Sequence, residues 1–262
     1  VQRDARTHPR LAAFLAASLP ESASLALFEP ERLDQGPTSS CTAHSLSAAI
    51  STACSFAGRP IGVPSQRELY AVTRAIERAT EARSDTTILP TLSDNGGMLA
   101  DAVQAATLWG VCPMQGPTSD GRNSDVEPSN VNLEPDLLAL EKASTTIVTG
   151  THRIDETASD VVDQACAAIA AGFPVYDGFF VDSAFEQWTR GSAPIAAPNL
   201  NDSSGGGHAV YLSGYTTVAG SRVFTLSNSW GRGWGDDGRC LVSEAWLRAC
   251  WDLYVIDVKV LR

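Results

Sequence analysis

The stretch HAVYLSGYTTVAGSRVFTLSNSW, His208–Trp230, decides the fold. Its two apolar runs, HAVYLSGY and RVFTLSNSW, flank TTVAGS. β-Branched and aromatic residues on both sides of a Gly-bearing turn read as an antiparallel hairpin. With the turn centred near Val218, His208 and Asn228 lie ten residues to either side of it and face each other. Directly opposed residues sit about 4.5–5.5 Å apart at Cβ, within reach of an imidazole–carboxamide hydrogen bond. The pairing is sensitive to register, because a slip of one residue sends the two side chains to opposite faces.

Working outward, the second half of the chain reads as further short strands: FPVYDGFFV (173–181), RCLVS (239–243) and DLYVIDVKVLR (252–262). A helical run, ETASDVVDQACAAIAAG (156–172), precedes them. The first half is helical. CTAHSLSAAISTACSFAG predicts a helix over about 40–57, stopped by Gly58 and Pro60. SQRELYAVTRAIERATEAR predicts a second, with Ser65 and Glu68 as a capping box and Leu69, Val72, Ala75, Ile76 and Ala79 along one face. GGMLADAVQAATLWG gives a third, closed by Gly110, and Pro113–Glu134 reads as a long surface excursion. Helices in one half and antiparallel strands in the other imply an α+β protein of two lobes meeting at a cleft.

Composition narrows the function. The chain has 262 residues, 44% of them apolar, a length that suits one large unit or two lobes. No run reaches the eighteen or so apolar residues of a membrane span, so no membrane partner is expected. Thirty acidic against nineteen basic residues give a net charge of −11, which repels a phosphate backbone and argues against a nucleic-acid partner. Six cysteines without a C-x-x-C pair argue against a zinc site, and neither metal nor cofactor is expected. A Cys240–Cys250 pair stays open, since sequence does not give the geometry.

QGPTSSCTAHS, Gln35–Ser45, supplies the chemistry that the hairpin lacks. Cys41 falls at the start of the first long helix, where unpaired N–H groups favour a thiolate, and His208 supplies a proton-transferring partner. Gln35 is placed to aim a side-chain N–H at a carbonyl oxygen under attack, together with the Cys41 backbone N–H. Nucleophile, base, orienter and oxyanion donor are thus all present as Cys41, His208, Asn228 and Gln35.

At these residues the chain resembles the papain-like cysteine peptidases. QGPTSSC matches the family's Q-G-x-C-G-S-C, NGG (95–97) its substrate-binding N-G-G, and GHAV carries His208. NSWGRGWGDDG (228–238) matches N-S-W-G-x-G-W-G-x-x-G almost residue for residue. ELYAVTR and FPVYDGFFV look most like bacterial members. The resemblance implies a papain-like domain over 34–262, with a helical left lobe (about 36–130) and a barrel-like right lobe (about 131–262); residues 1–33 read as an N-terminal extension, the tail of a propeptide or a helix packed against a lobe, and are expected to lie near the cleft and limit access. It implies a monomeric cysteine endopeptidase acting on proteins or peptides through an acyl-enzyme. It also implies substrate-binding roles for Gly96, Gly97, Met98, Gly207, Trp230 and Trp234, the two tryptophans shielding the His208–Asn228 bond. Location in or outside the cell is left open.

The departures define the alternatives. TSSCT stands where the family pattern is C-G-[SA]-C-[WY]. Thr38 and Asp94 replace both members of the family's disulfide, and Thr42 replaces an aromatic residue that encloses the site. His208 follows Cys41 by 167 residues, against about 130–150 in the family. A papain-fold deamidase or transglutaminase-like effector, or an inactive binding module, are the rival expectations. His44 reads as a core histidine with satisfied hydrogen bonds.

Overall fold

The computed structural model describes residues 3–81, 92–143, 146–203 and 205–260. The expected ends of the second helix (Ala82, Arg83) and of the last strand (Leu261, Arg262), and Ser204 of the Gly-rich approach to His208, lie outside the described residues. In chain order the elements are β1 (Arg3–Asp4), a 3-10 turn (Ala5–Thr7), α1 (Pro9–Ala16), β2 (Ser22–Ser24), α2 (Cys41–Phe56), α3 (Gln66–Glu81), α4 (Leu99–Leu108) and α5 (Leu137–Ala143). There follow β3 (Thr146–Ile154), α6 (Val161–Ala170), β4 (Val175–Phe180), α7 (Ser183–Glu186), β5 (Gly207–Val218), β6 (Ser221–Ser227), β7 (Arg239–Ser243), α8 (Glu244–Leu247) and β8 (Trp251–Val260).

α2 is the pivot of the molecule. Its small residues let it bury every position from Thr42 to Cys54. One side meets α3 and α4, and the other meets the sheet at β4, β5 and β8. It ends in a Schellman motif: Gly58 adopts φ +70°, its N–H reaches the Ser55 carbonyl at 3.0 Å, and the Arg59 N–H reaches the Cys54 carbonyl at 2.9 Å. α3 begins as expected with the Ser65 hydroxyl accepting the Glu68 N–H at 3.1 Å. The reciprocal half of the box is not made, because the Glu68 carboxylate instead accepts the Asp136 N–H at 2.9 Å.

The sheet runs in the order β1-β3-β8-β4-β5-β6-β7, with β2 added to the far end of β5. β1 and β3 pair in parallel, and the other pairs are antiparallel. One face, with Val175, Phe179, Val210, Leu212 and Phe224, forms the right-lobe core together with α6 and Trp246 of α8. The opposite face lends Tyr176, Ala209, Tyr211 and Tyr254 to the left-lobe core around Leu46, Ile50, Tyr70 and Val103. Burying alternate residues on two sides makes β4 and the first part of β5 buried on both faces and mostly apolar, as parallel-type buried strands are.

The decisive hairpin forms with a turn shifted from the expected centre. Val218 pairs with Ser221, leaving Ala219 (φ +49°) and Gly220 (φ +83°) as a two-residue loop with both residues left-handed, the type I′ arrangement. A β-bulge between Leu212 and Gly214 then shifts the pairing by one residue, so Ser227 faces Tyr211, and His208 lies opposite Phe179 of β4 instead of Asn228. The two side chains still meet, because Asn228 lies beyond the end of β6.

Residues 3–25 of the N-terminal segment pack against the right lobe, while residues 29–33 lie beside the Asn228 loop. β1 joins the sheet edge at β3, α1 packs on α6, and Ala5, Leu11 and Leu25 are buried in the right-lobe core. Residues 114–134 hold neither helix nor strand, as expected, yet they are tied to the left lobe by buried polar contacts. Asp125 accepts the Ser65 hydroxyl at 2.6 Å and the Arg67 N–H at 3.0 Å, and Ser124 bonds the His44 ring at 2.8 Å. All six cysteines are free, including Cys240 and Cys250.

Candidate active site

Cys41 is the first residue of α2, and its N-cap, Ser40, makes no side-chain cap bond to the helix. The Ser40 hydroxyl is turned instead to Thr38 Oγ1 (2.7 Å) and to the His44 ring (3.1 Å). First-turn N–H groups are thus left without a capping oxygen, which is where an anion is favoured. Cys41 is partly exposed, whereas the other five cysteines are buried. Desolvation raises the thiol above its ordinary pKa, and the amides of Ala209, Thr42 and Cys41 pull the other way. Burial outweighs the helix terminus, so the free chain favours the thiol where helix position alone led to the expectation of thiolate.

The Ala209 amide that reaches this thiol follows His208 directly along β5, so the histidine's backbone lies one residue from the group that meets Cys41. His208 Nε2 lies 2.8 Å from Asn228 Oδ1. The same oxygen accepts the Ser229 N–H at 2.8 Å, so Oδ1 must face the ring, and Nε2 must carry the hydrogen. Nδ1 is left as the lone-pair nitrogen. Burial pushes His208 down to about 4, with the Asn228 bond opposing. The ring is packed by Phe179, Phe185 and Trp230 at centroid distances of 5.8, 6.2 and 5.0 Å. Trp234 stands edge-on to Trp230 at 5.5 Å, and His208 and Asn228 are each only 6% exposed.

Gln35 is held at both ends. Its Oε1 accepts the Ser229 hydroxyl at 2.7 Å, and its Nε2 donates to the Thr38 carbonyl at 2.8 Å, leaving the second amide hydrogen available. Backbone pairing clamps this loop to the Asn228 loop: Gln35 N–H to the Ser229 carbonyl (2.9 Å) and Gly231 N–H to the Leu33 carbonyl (3.0 Å).

Behind the Asn228 loop sits a buried ionic cluster that no sequence motif announced. Glu29, 1% exposed at its side chain, accepts from Arg32 Nη2 (2.7 Å), Arg239 Nε (2.9 Å), the Tyr211 hydroxyl (3.1 Å) and the Ser227 hydroxyl. Burial alone would raise its carboxyl pKa, but Arg32, Ser227 and Arg239 together hold it below the ordinary value. Ser227 precedes Asn228, and Arg239 follows Gly238, whose carbonyl accepts the Asn228 N–H at 3.0 Å. Glu29 thereby pins both chain segments that present Asn228. The available signal was a glutamate and an arginine three apart in FEPERL, a run otherwise suited to burial.

The departures from the family pattern have structural replacements. Where a disulfide is absent, Asp94 Oδ1 accepts the Ser39 N–H (2.9 Å) and the Tyr70 hydroxyl (2.9 Å), and Ser39 Oγ donates to the Asp94 carbonyl (3.3 Å). Thr42 is buried against the glycine loop: a Cβ on Gly97 would come within 3.0 Å of Thr73 Cγ2 and 3.6 Å of Thr42 Oγ1. Gly96 takes φ +93°, a conformation that suits glycine, and Met98 follows at 53% exposure. Gly207 opens β5 at the surface. His44 is fully buried, with Nδ1 2.9 Å from the Ser40 carbonyl and Nε2 on Ser124, and desolvation lowers it to about 4. It is a core histidine. Among the described residues no cluster of His, Cys, Asp or Glu could hold a metal ion.

A family model for papain family cysteine proteases matches residues 31–250. Xylellain, a cysteine protease from Xylella fastidiosa, is similar at 27% identity with a TM-score of 0.70, over 94% of this chain and 88% of that one. Procathepsin L 3 from the Tenebrio molitor larval midgut is 15% identical (TM-score 0.67, 98% and 75% covered) and shares the fold. So does procathepsin B S9 from Trypanosoma congolense, 16% identical (TM-score 0.66, 98% and 83% covered). An uncharacterised peptidase C1-like protein of Acanthamoeba polyphaga mimivirus is 27% identical over 216 residues, 79% of this chain. The matched region spans 62% of that relative's length.

Proposed function

The chain belongs to the papain family of cysteine proteases, and from that premise we propose that it is a cysteine endopeptidase with Cys41 as nucleophile, His208 as proton carrier, Asn228 as orienter and Gln35 as oxyanion donor. The observations that support the reading are the 2.8 Å His208–Asn228 bond, which leaves Nδ1 as the acceptor nitrogen, and the amide of Ala209, the residue after His208, at the one partly exposed thiol of the chain.

In the first step the Cys41 sulfur bonds the substrate carbonyl carbon while its proton passes to His208 Nδ1. Negative charge gathers on the carbonyl oxygen, opposite the spare Gln35 hydrogen and the Cys41 N–H. His208 then gives the proton to the amine as the C–N bond breaks, leaving a thioester. Water, deprotonated by His208, bonds the same carbon. The C–S bond breaks, and the thiol recovers the proton. Protein or peptide substrates lie extended along Gly96, Gly97 and Met98 on the left lobe, with Gly207, Trp230 and Trp234 on the right. We take residues 34–262 as the peptidase domain and the segment before it as an addition to the right lobe.

Digestion of a proteome-derived peptide library by the wild type and by Cys41→Ala in parallel, read by mass spectrometry, tests the reading. Cleavage by the wild type alone supports it. Conversion of glutamine to glutamate with backbones uncut, or equal cleavage by both proteins, would overturn it.

A further inference from the structure

A small cavity lies where three parts of the chain meet: residues 30–33, α2 at Ser45, and the loop that carries Asn228. Its volume, about 10 Å³, is the least that holds one water molecule. The histidine and most hydroxyl groups on its wall are already bonded. His44 meets Ser40 and Ser124, the Tyr211 and Ser227 hydroxyls donate to Glu29, and the Ser229 hydroxyl donates to Gln35. Two lining groups stand apart: Asn228 Nδ2 and Ser45 Oγ are buried and meet no hydrogen-bond partner in the protein. Their residues are 6% and 3% exposed, so bulk solvent does not serve them.

Buried polar side chains are bonded either to protein or to ordered water. A water in this cavity would accept from Nδ2 and share a hydrogen with Oγ, satisfying both groups at once. The amide needs that third contact. Its two bonds, from the His208 Nε2–H and the Ser229 N–H, both end on Oδ1, so they fix one atom and leave the amide plane free to pivot about it. A bond at the opposite end, Nδ2, fixes the plane and with it the tilt of the imidazole. Ser45 lies one helical turn after Cys41 on α2, so the same bridge ties the orienter to the helix that carries the nucleophile.

We propose that a single water bridges Asn228 Nδ2 to Ser45 Oγ, and that Ser45 is a positioning residue: through that water it sets the angle at which Asn228 presents its oxygen to His208. The proposal deepens the endopeptidase reading and rests on its assignment of Asn228 as orienter. Replacing Ser45 by alanine keeps the helix, since alanine is the best helix former, and removes one of the water's two side-chain anchors. The amide then pivots and the ring with it. Proton transfer slows, while peptide binding along the cleft is unchanged.

A high-resolution crystal structure of the protein and a double-mutant cycle over Ser45→Ala and Asn228→Ala test this. The structure should show one water within about 3.2 Å of both atoms. No ordered water there, or a Ser45 hydroxyl bonded back to the Cys41 carbonyl, would overturn the inference. Peptide turnover by Ser45→Ala should show kcat about tenfold lower at unchanged KM, and adding Ser45→Ala to Asn228→Ala should cost nothing further. A fall by the same factor in both backgrounds, or none in either, marks a merely structural role and overturns the inference as well. If the wild type cleaves no peptide, the endopeptidase reading falls, and the same cycle on the Cys41 alkylation rate decides the inference: slowing by Ser45→Ala that disappears in the Asn228→Ala background upholds it, and slowing that persists there, or no slowing, overturns it.

Discussion

Replacing Glu29 by glutamine should be among the most damaging single changes outside the cleft. The substitution keeps size and shape but removes the charge that balances Arg32, 6% exposed, and Arg239, 24% exposed. Arg32 has little alternative, since its other described bond is Nε to the Asp237 carbonyl at 2.9 Å. Breaking a buried ion pair from one side costs roughly 3–5 kcal/mol, because the remaining charge stays desolvated. Glutamine retains some hydrogen bonding, so about 3 kcal/mol is expected. With a urea dependence of roughly 3 kcal/mol per molar, the unfolding midpoint should fall by about 1 M. Tryptophan fluorescence in urea reads it directly. Adding Arg32→Met to Glu29→Gln should recover part of the loss, since apolar groups of similar volume often replace a buried pair without cost. A loss below about 1 kcal/mol for Glu29→Gln would refute the claim that this cluster pins the Asn228 loop.

Three further outcomes are expected. His44 and His208 are both held near 4, below their ordinary 6.5, so the unfolded chain binds protons that the folded one refuses. Stability should be full above pH 6.5 and fall as pH drops toward 4, by up to roughly 3 kcal/mol per histidine, and His44→Gln should flatten the slope of unfolding free energy against pH. Asp94 raises the Cys41 pKa by its charge, so Asp94→Asn should move the midpoint of the Cys41 alkylation profile to lower pH, while loosening the Ser39 tether enough to lower the melting temperature. Ala219→Asn, at φ +49° before Gly220, should stabilise the β5–β6 hairpin by about 0.5–1 kcal/mol in chemical denaturation, because asparagine tolerates the left-handed conformation better than alanine.

Much of the architecture was readable from residue patterns, for identifiable reasons. α2, α4 and α6 are bounded by glycine or by small-residue runs, and β7 occupies RCLVS as the sequence predicts. The hairpin was readable but not its register, because TTVAGS offers more than one turn centre and a β-bulge between Leu212 and Gly214 shifts the pairing again. PRLAAFLA forms the helix packed against a lobe that its amphipathic pattern allows, but the pattern does not say which surface the apolar side meets, here α6. Cys41, His208, Asn228 and Gln35 are carried by local motifs. Glu29 was signalled only by Arg32 three residues on; its bond to Arg239, 210 residues away, and those of Asp94 to Ser39 and of Ser229 to Gln35, 55 and 194 residues apart, join distant segments. Such pairings are created by the fold and leave no local signal.

The account depends on the Cys41 thiol sharing its proton with His208 across the lobes. Mass-spectrometric alkylation rates for all six cysteines with iodoacetamide, from pH 4 to 9, in the wild type and in His208→Ala, test that most directly. Cys41 should react at least about tenfold faster than the five buried cysteines and lose that advantage below pH 7 when the imidazole is removed. Equal rates at Cys41 and Cys54, or a Cys41 profile unchanged by His208→Ala, would contradict it.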